Sequence, residues 1–300
     1  MSGKADLAVI VLGQFAIGSA ALLARAGLDA GMQPTSLAAW RLTIGSSLVF
    51  AYLLASRRPK PDLRPEHCWK LVAAGVFLGV HFATWFASLN HISIAVSTLL
   101  VASCPVWAVL IEIGLWRRFP GRAFWPGLGL ALAGLALVSA QTGTKPGGSA
   151  FLGCFWALAG AAAFAVYLLI VKPYQTGIGT ARTVSWTYTV AAASMWGVAW
   201  LIDWPSLVPE NAMGWTSAAA MAVLAQGIGH TSLNWSLKRM APSVVGVATL
   251  LEPVFAAALA WPIFGEPISG RQAFGAMILL FGVAVVLTRS TDCQGDSAHG

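Results

Sequence analysis

Long apolar runs separated by short polar breaks dominate the chain. About 20 helical residues cross the ~30 Å hydrocarbon core of a bilayer, so a run of that length predicts a membrane span. Residues 71–111 contain no Asp, Glu, Lys or Arg, which is room for two spans, and Asn90-His91-Ile92-Ser93 is the polar break between them. The same reading predicts ten spans, at residues 6–26, 35–56, 69–90, 93–116, 123–141, 149–171, 183–203, 213–237, 242–264 and 269–288. Backbone polar groups inside lipid must be satisfied by the spanning element itself, which leaves helices or a closed barrel. These runs are too long and too continuously apolar for barrel strands. The expected fold class is an all-α integral membrane protein.

The pattern repeats. Shifted by 148, residues 89–138 fall on 237–286: Leu89 meets Leu237, Pro105-Val106 meets Pro253-Val254, Gly127 meets Gly275 and Gly134 meets Gly282. In so apolar a chain a shared Leu or Val means little; a proline and two glycines in one register mean more. Each copy holds five spans, and an odd number forces the second copy to cross from the opposite side. The expectation is two inverted five-helix repeats (5+5), an arrangement that in secondary transporters places the substrate between the repeats near mid-membrane. The first repeat is read as 1–141, a linker as 142–148, the second repeat as 149–289, and 290–300 as a polar, disordered tail. One chain holds both repeats, so a monomer is compatible with the pattern.

Charge then sets an orientation. With the N-terminus inside, fourteen of the 18 basic residues fall on the cytoplasmic side, among them Arg57, Arg58, Lys172, Arg182, Lys238 and Arg239; the other four are Arg25, Arg41, Lys145 and Arg271. Such a bias expects both termini in the cytoplasm. The net charge of +7 would suit nucleic acid in a soluble protein, but basic residues scattered through short loops suit membrane orientation better, so no nucleic-acid partner is expected. With 57% hydrophobic and 10% charged residues, the chain has too few charges to cover a water-facing surface. Its partners are expected to be a lipid bilayer and a small-molecule substrate.

Several chemistries are missing. No Walker loop appears, so ATP drive within the chain is not expected, and no HExxH, GxSxG or paired CxxC pattern is present. The four cysteines, Cys68, Cys104, Cys154 and Cys293, form no metal or disulfide framework. Neither a metal, a cofactor nor a catalytic residue is expected.

Certain stretches resemble the drug/metabolite transporter superfamily, specifically its two-fold EamA domain. They are Ala39-Trp40-Arg41, Leu251-Glu252-Pro253-Val254-Phe255, Phe264-Gly265-Glu266-Pro267-Ile268 and the pair Gly275 and Gly282. The resemblance covers nearly the whole chain. It implies a bacterial-type inner-membrane transporter rather than an enzyme, exporting amino acids or other metabolites, with YddG-like amino-acid exporters as the nearest kind. A sugar-phosphate or nucleotide-sugar transporter is the alternative within the superfamily; a membrane-embedded enzyme is the alternative outside it.

Polar residues inside spans are the candidates for function, because they are costly in lipid and normally face the bundle interior or a wet cavity. His81 and Trp85 lie one turn apart with Thr84 and Ser88; His81 either donates to a substrate or is a core histidine bonded to a neighbouring helix carbonyl. Gln226, His230 and Asn234 recur at intervals of four, lining a cavity or bonding between helices. Glu252 either meets a substrate ammonium or bonds backbone freed by Pro253. The expected substrate-binding set is Gln14, His81, Trp85, Ser103, Phe164, Tyr167, Asn234 and Glu252, with Trp186 as a further aromatic candidate. Pro105 and Pro253 are expected kinks, serving as hinges or fixed bends. Arg41, about two turns from a span end, reads as snorkelling, and Glu112 as a partner of Arg117 and Arg118.

On this orientation, a cysteine placed at Lys145 in a chain freed of its own cysteines is expected to react with a membrane-impermeant thiol reagent from the outer side. Reaction from the cytoplasmic side alone would refute the topology.

Overall fold

The computed structural model describes residues 3–56, 65–139, 147–265 and 268–295. Arg57, Arg58, Lys60, Arg64, Lys145, Glu266 and Pro267 lie outside the described residues, as does nearly all of the expected linker. Among the described residues the fold is all helix, in ten passes. The first three are α1 (Gly3–Asp29), α2 (Pro34–Ala55) and α3 (Pro65–Ser88). The fourth is split into α4 (Ile94–Val101) and α5 (Cys104–Trp116), and the fifth is α6 (Phe124–Ser139). The sixth and seventh are α7 (Ala150–Tyr174) and α8 (Thr180–Ile202). The eighth comprises α9 (Ala212–Met221), a π-helical stretch (Ala222–His230) and α10 (Thr231–Ser236). The ninth is split into α11 (Pro242–Thr249) and α12 (Glu252–Phe264), and the tenth is α13 (Gly270–Gly295). α13 continues through the first part of the stretch read as a disordered tail, since extending an existing helix adds a hydrogen bond per residue without a new nucleus.

The polar breaks between runs become caps. Ser93 accepts from the Val96 amide, Ser149 from that of Leu152, and Asn211 from that of Gly214. Each satisfies an amide the helix start leaves without an intrahelical partner. Gly179, at φ 86°, links the π-helical turn Gln175–Gly179 to α8 in a conformation that side chains other than glycine's rarely adopt.

The packing obeys the two-fold pattern that the 148-residue register predicts. α2 packs on α8 and α6 on α13, each against its own counterpart, and the fourth pass meets the ninth where α5 packs on α11. α3 packs on α7, and the exchanged contact, α1 on the eighth pass, is present too. The tightest seam joins α6 and α13. A Cβ on Gly134 would lie 2.4 Å from the Leu279 amide nitrogen, and one on Gly282 would lie 2.5 Å from that of Ala131. Backbone meets backbone there, which is how small residues hold membrane helices together without a hydrophobic driving force.

Gly134→Ala is therefore expected to force the seam apart and cost about 1–3 kcal/mol, read as a lower thermal midpoint in detergent. Gly129→Ala on the same helix, with open space around it, is expected to be neutral or slightly stabilising. Equal effects from the two would refute the seam.

Candidate functional site

Proline has no N–H and its ring clashes with the carbonyl four residues back. Counting back four from Pro105 and Pro253 reaches Val101 and Thr249, the last residues of α4 and α11. The expected kinks are thus complete interruptions, and both prolines sit in the first turn of the half-helix that follows, where a missing N–H costs nothing. The second interruption repeats the first at an offset of 148 residues, as do the left-handed caps Arg117 (φ 52°) and Gly265 (φ 67°). At the breaks the chain turns tightly: Ser103 N bonds Leu100 O, and Leu251 N bonds Ala248 O, each at 3.1 Å.

The broken helices border a cavity between the repeats. The first repeat contributes Ile17, Arg41, His81, Phe82, Trp85 and the end of α4; the second contributes Phe164, His230, Leu233, Thr249 and Glu252. Its free space is about 40 Å³, enough for a few water molecules. His81 is held by its Nδ1, which lies 3.0 Å from the Gly160 carbonyl. A carbonyl only accepts, so Nδ1 carries the proton and the neutral ring keeps a lone pair on Nε2. His81 also meets the Phe164 ring at 4.6 Å and the Phe82 ring at 4.9 Å, and His230 packs edge-on to both phenylalanines.

Arg41 does not snorkel. It is 2% exposed, with Nε donating to Gln226 Oε1 at 3.2 Å and its guanidinium 4.7 Å from the centre of the Phe82 ring. Its Nη2 has no hydrogen-bond partner. Glu252 lines the same cavity from the other repeat, within electrostatic reach of Arg41 and without a direct ion pair to it. Ala39-Trp40-Arg41 carries the signal, since Arg41 is the one Lys or Arg well inside an expected span; distance from a span end does not show which way the side chain points.

His81, Trp85, Phe164 and Glu252 of the expected binding set line the cavity; Gln14, Ser103, Tyr167 and Asn234 lie away from it. Ser103 donates to the Leu100 carbonyl at the end of α4. Tyr167 and Gln175 both donate to Asn234 Oδ1 at 2.9 Å, and Asn234 Nδ2 donates to the His230 carbonyl, so the Asn234 amide is engaged at both ends. Gln14 is fully buried in α1, and neither end of its amide has a partner. Thr84 and Ser88 bond back to carbonyls of their own helix. Trp186 is 38% exposed on the outside of α8.

Polar contacts fasten both ends of the bundle. At the acidic end Asp203 accepts from Thr35 Oγ1 and, at 2.8 Å each, from the Ser36 amide and hydroxyl, capping the start of α2. Beside it Trp40 donates to the Leu207 carbonyl and packs on Trp196 and Trp215. At the basic end Arg239 holds both oxygens of Asp6 at 2.7–2.9 Å, and Lys172 donates to the Leu237 and Met240 carbonyls. Glu112 bonds Ser243 at the start of α11, with Lys172 and the expected partner Arg118 within electrostatic reach, and there a carboxylate meets the positive end of the helix dipole.

Ten passes in two inverted copies, broken helices and, between the copies, a cavity lined by aromatic and a few ionisable side chains describe a membrane transporter of the inverted-repeat kind. The comparisons name the family. Residues 5–140 and 151–288 each match the EamA-like transporter family, and the chain belongs to it. It is similar to "Uncharacterized transporter YwfM" of Bacillus subtilis (strain 168), at 24% identity over 84% of each chain. It is also similar to "Uncharacterized transporter YdfC" of the same strain, at 26% identity over 86% of this chain and 83% of that one. A solved crystal structure superposes with a TM-score of 0.75 at 21% identity, covering 95% of this chain and 98% of the other, a likeness of fold. Family and relatives are transporters rather than enzymes.

Removing the Asp203 carboxylate leaves three donors at the start of α2 without their acceptor. Asp203→Ala is expected to cost about 1–2 kcal/mol, the upper range for a lost helix cap, seen as a lower thermal midpoint. An unchanged midpoint would show that the contact does not bear on stability.

Proposed function

We propose that the protein exports small neutral or zwitterionic metabolites, most specifically amino acids with large apolar or aromatic side chains, as a YddG-like member of its family. The observation that carries this reading is the cavity between the repeats, which sets one cation and one carboxylate against aromatic walls. A zwitterion matches such a pair of charges and adds no net charge to the membrane interior, where uncompensated charge is costly. Once the cavity opens beyond the space for a few waters that it has here, Phe82, Trp85 and Phe164 offer faces for an apolar side chain. A sugar phosphate suits the cavity less, because its two negative charges would meet a single guanidinium with Glu252 alongside.

Alternating access would use the breaks in the fourth and ninth passes as hinges, with the contacts at the two ends of the bundle parting in turn. Lys172, Lys238 and Arg239 share one end of the bundle, which supports placing that end, and both termini, in the cytoplasm of a bacterial cell. Both repeats and the whole cavity belong to one chain, so a monomer suffices.

Flux of labelled amino acids into proteoliposomes tests the reading. His81→Ala and Glu252→Gln are each expected to lower flux about tenfold or more, the equivalent of about 1.4 kcal/mol, with thermal midpoints near wild type. Wild-type flux from both variants would remove this cavity as the site. Loss of flux with a collapsed midpoint would show that the two side chains serve packing. A wild type that carries no amino acid would refute the proposed substrate class.

A further inference from the structure

The geometry points to a fixed polarity for the bound substrate: the Arg41 guanidinium takes its carboxylate and the Glu252 carboxylate takes its ammonium. This rests on the proposal that the substrate is an amino acid, and adds which residue reads which pole. The sequence offers His81 as a donor to the substrate, but the only proton of the neutral His81 ring is committed to the Gly160 carbonyl. The Nε2 lone pair left over repels a carboxylate. Arg41 has the donor instead: Nη2 is buried without a partner, while Gln226 and the Phe82 face hold the rest of the group in place. A planar guanidinium with donors to spare, fixed in a low-dielectric setting, suits carboxylate recognition. Because such a group is costly to bury alone, a ligand carboxylate relieves the cost. Glu252, the carboxylate lining the cavity, stands on the opposite repeat.

The scaffold is two-fold symmetric and the charges are not. At the position equivalent to Glu252 the first repeat has Cys104. α8, the counterpart of α2, has no basic residue beyond Arg182 in its first turn. A symmetric cavity would accept a zwitterion in either of two flipped orientations; this one distinguishes them. The polarity also requires both ends of the ligand to be charged, which separates α-amino acids from their amides and N-acyl derivatives.

The test uses the full-length protein in proteoliposomes, with unlabelled phenylalanine, phenylalaninamide (no carboxylate) and N-acetylphenylalanine (no ammonium) competing against labelled phenylalanine. Wild type is expected to favour phenylalanine about tenfold or more over each analogue, a difference of about 1.4 kcal/mol. Arg41→Gln should abolish the preference over the amide and keep that over the N-acetyl compound; Glu252→Gln should do the reverse. If Arg41→Gln fails to insert, Arg41→Lys takes its place. That variant keeps the charge but loses the fork, and should lower the preference over the amide while leaving the other intact. His81→Gln should change neither ratio. Weaker binding of all three compounds with unaltered ratios would make Arg41 and Glu252 structural and overturn the assignment, and exchanged effects would reverse it. A wild type that binds no amino acid would overturn the proposed substrate class along with the assignment, whereas unchanged ratios in a phenylalanine-transporting protein overturn the assignment alone.

Discussion

The requirement that every backbone polar group in the membrane find a partner within the protein governs this structure. A helix meets it automatically, and an interrupted helix does not. The chain is interrupted at Ala102–Ser103 and again at Leu250–Leu251, so these points have to lie in the protein interior or beside a polar cavity. They lie in the interior, beside the cavity between the repeats. Tight turns recover part of the lost hydrogen bonding, and the Ser103 hydroxyl recovers more by bonding the Leu100 carbonyl. Pro105 and Pro253 impose the breaks, and burying the breaks settles where the two repeats must face each other. The glycine seam of α6 and α13 lets the fifth and tenth passes meet backbone to backbone.

The scaffold's symmetry and the asymmetry of its charges come from different constraints. Backbone geometry accepts few substitutes, so the prolines, the seam glycines and the left-handed caps appear in both copies. Side chains facing the cavity bear no such demand, so Glu252 stands opposite Cys104 without disturbing either half-helix. Arg41 is costly in mid-membrane, and its surroundings are arranged to hold it: an amide from the eighth pass, an aromatic face from α3 and a carboxylate within electrostatic reach. Each comes from a different element, so the guanidinium helps fix their relative positions as well as presenting its free donor.

The fold was legible where residues are rare and geometrically demanding. Proline and glycine in one register revealed the repeat, and the odd number of spans revealed its inversion. The site was legible in part. His81, Trp85, Phe164 and Glu252 are polar or aromatic positions that do reach the cavity. Asn234 does not, although it continues the spacing of Gln226 and His230. The spacing assumes 3.6 residues per turn, whereas Ala222–His230 is wound as a π-helix. Its wider turns shift the phase, so Gln226 faces Arg41, His230 faces the cavity and Asn234 faces Tyr167. Arg41 escaped because depth in the membrane was judged from span limits, and two turns from an end is within reach of snorkelling. Only the positions of Gln226 and Phe82 show which way it points.

The two ends of the bundle are fastened in different ways, and the difference bears on the proposed cycle. At the acidic end one carboxylate, Asp203, serves three donors at the start of a single helix, next to packed tryptophans. At the basic end the contacts are spread out: Asp6 in α1, Glu112 in α5 and Lys172 in α7 all converge on residues 237–243. That segment joins the π-helical pass to the broken ninth pass. Motion at the break before Glu252 would therefore load three separate contacts at the basic end, whereas Asp203 joins α2 to the segment after α8 and does not touch the broken helices. The spread contacts span both repeats, and a carboxylate bound to a helix start or a lysine bound to carbonyls can be replaced by water when the helices part. The end that carries most of the basic residues is thus the one coupled directly to the proposed hinge.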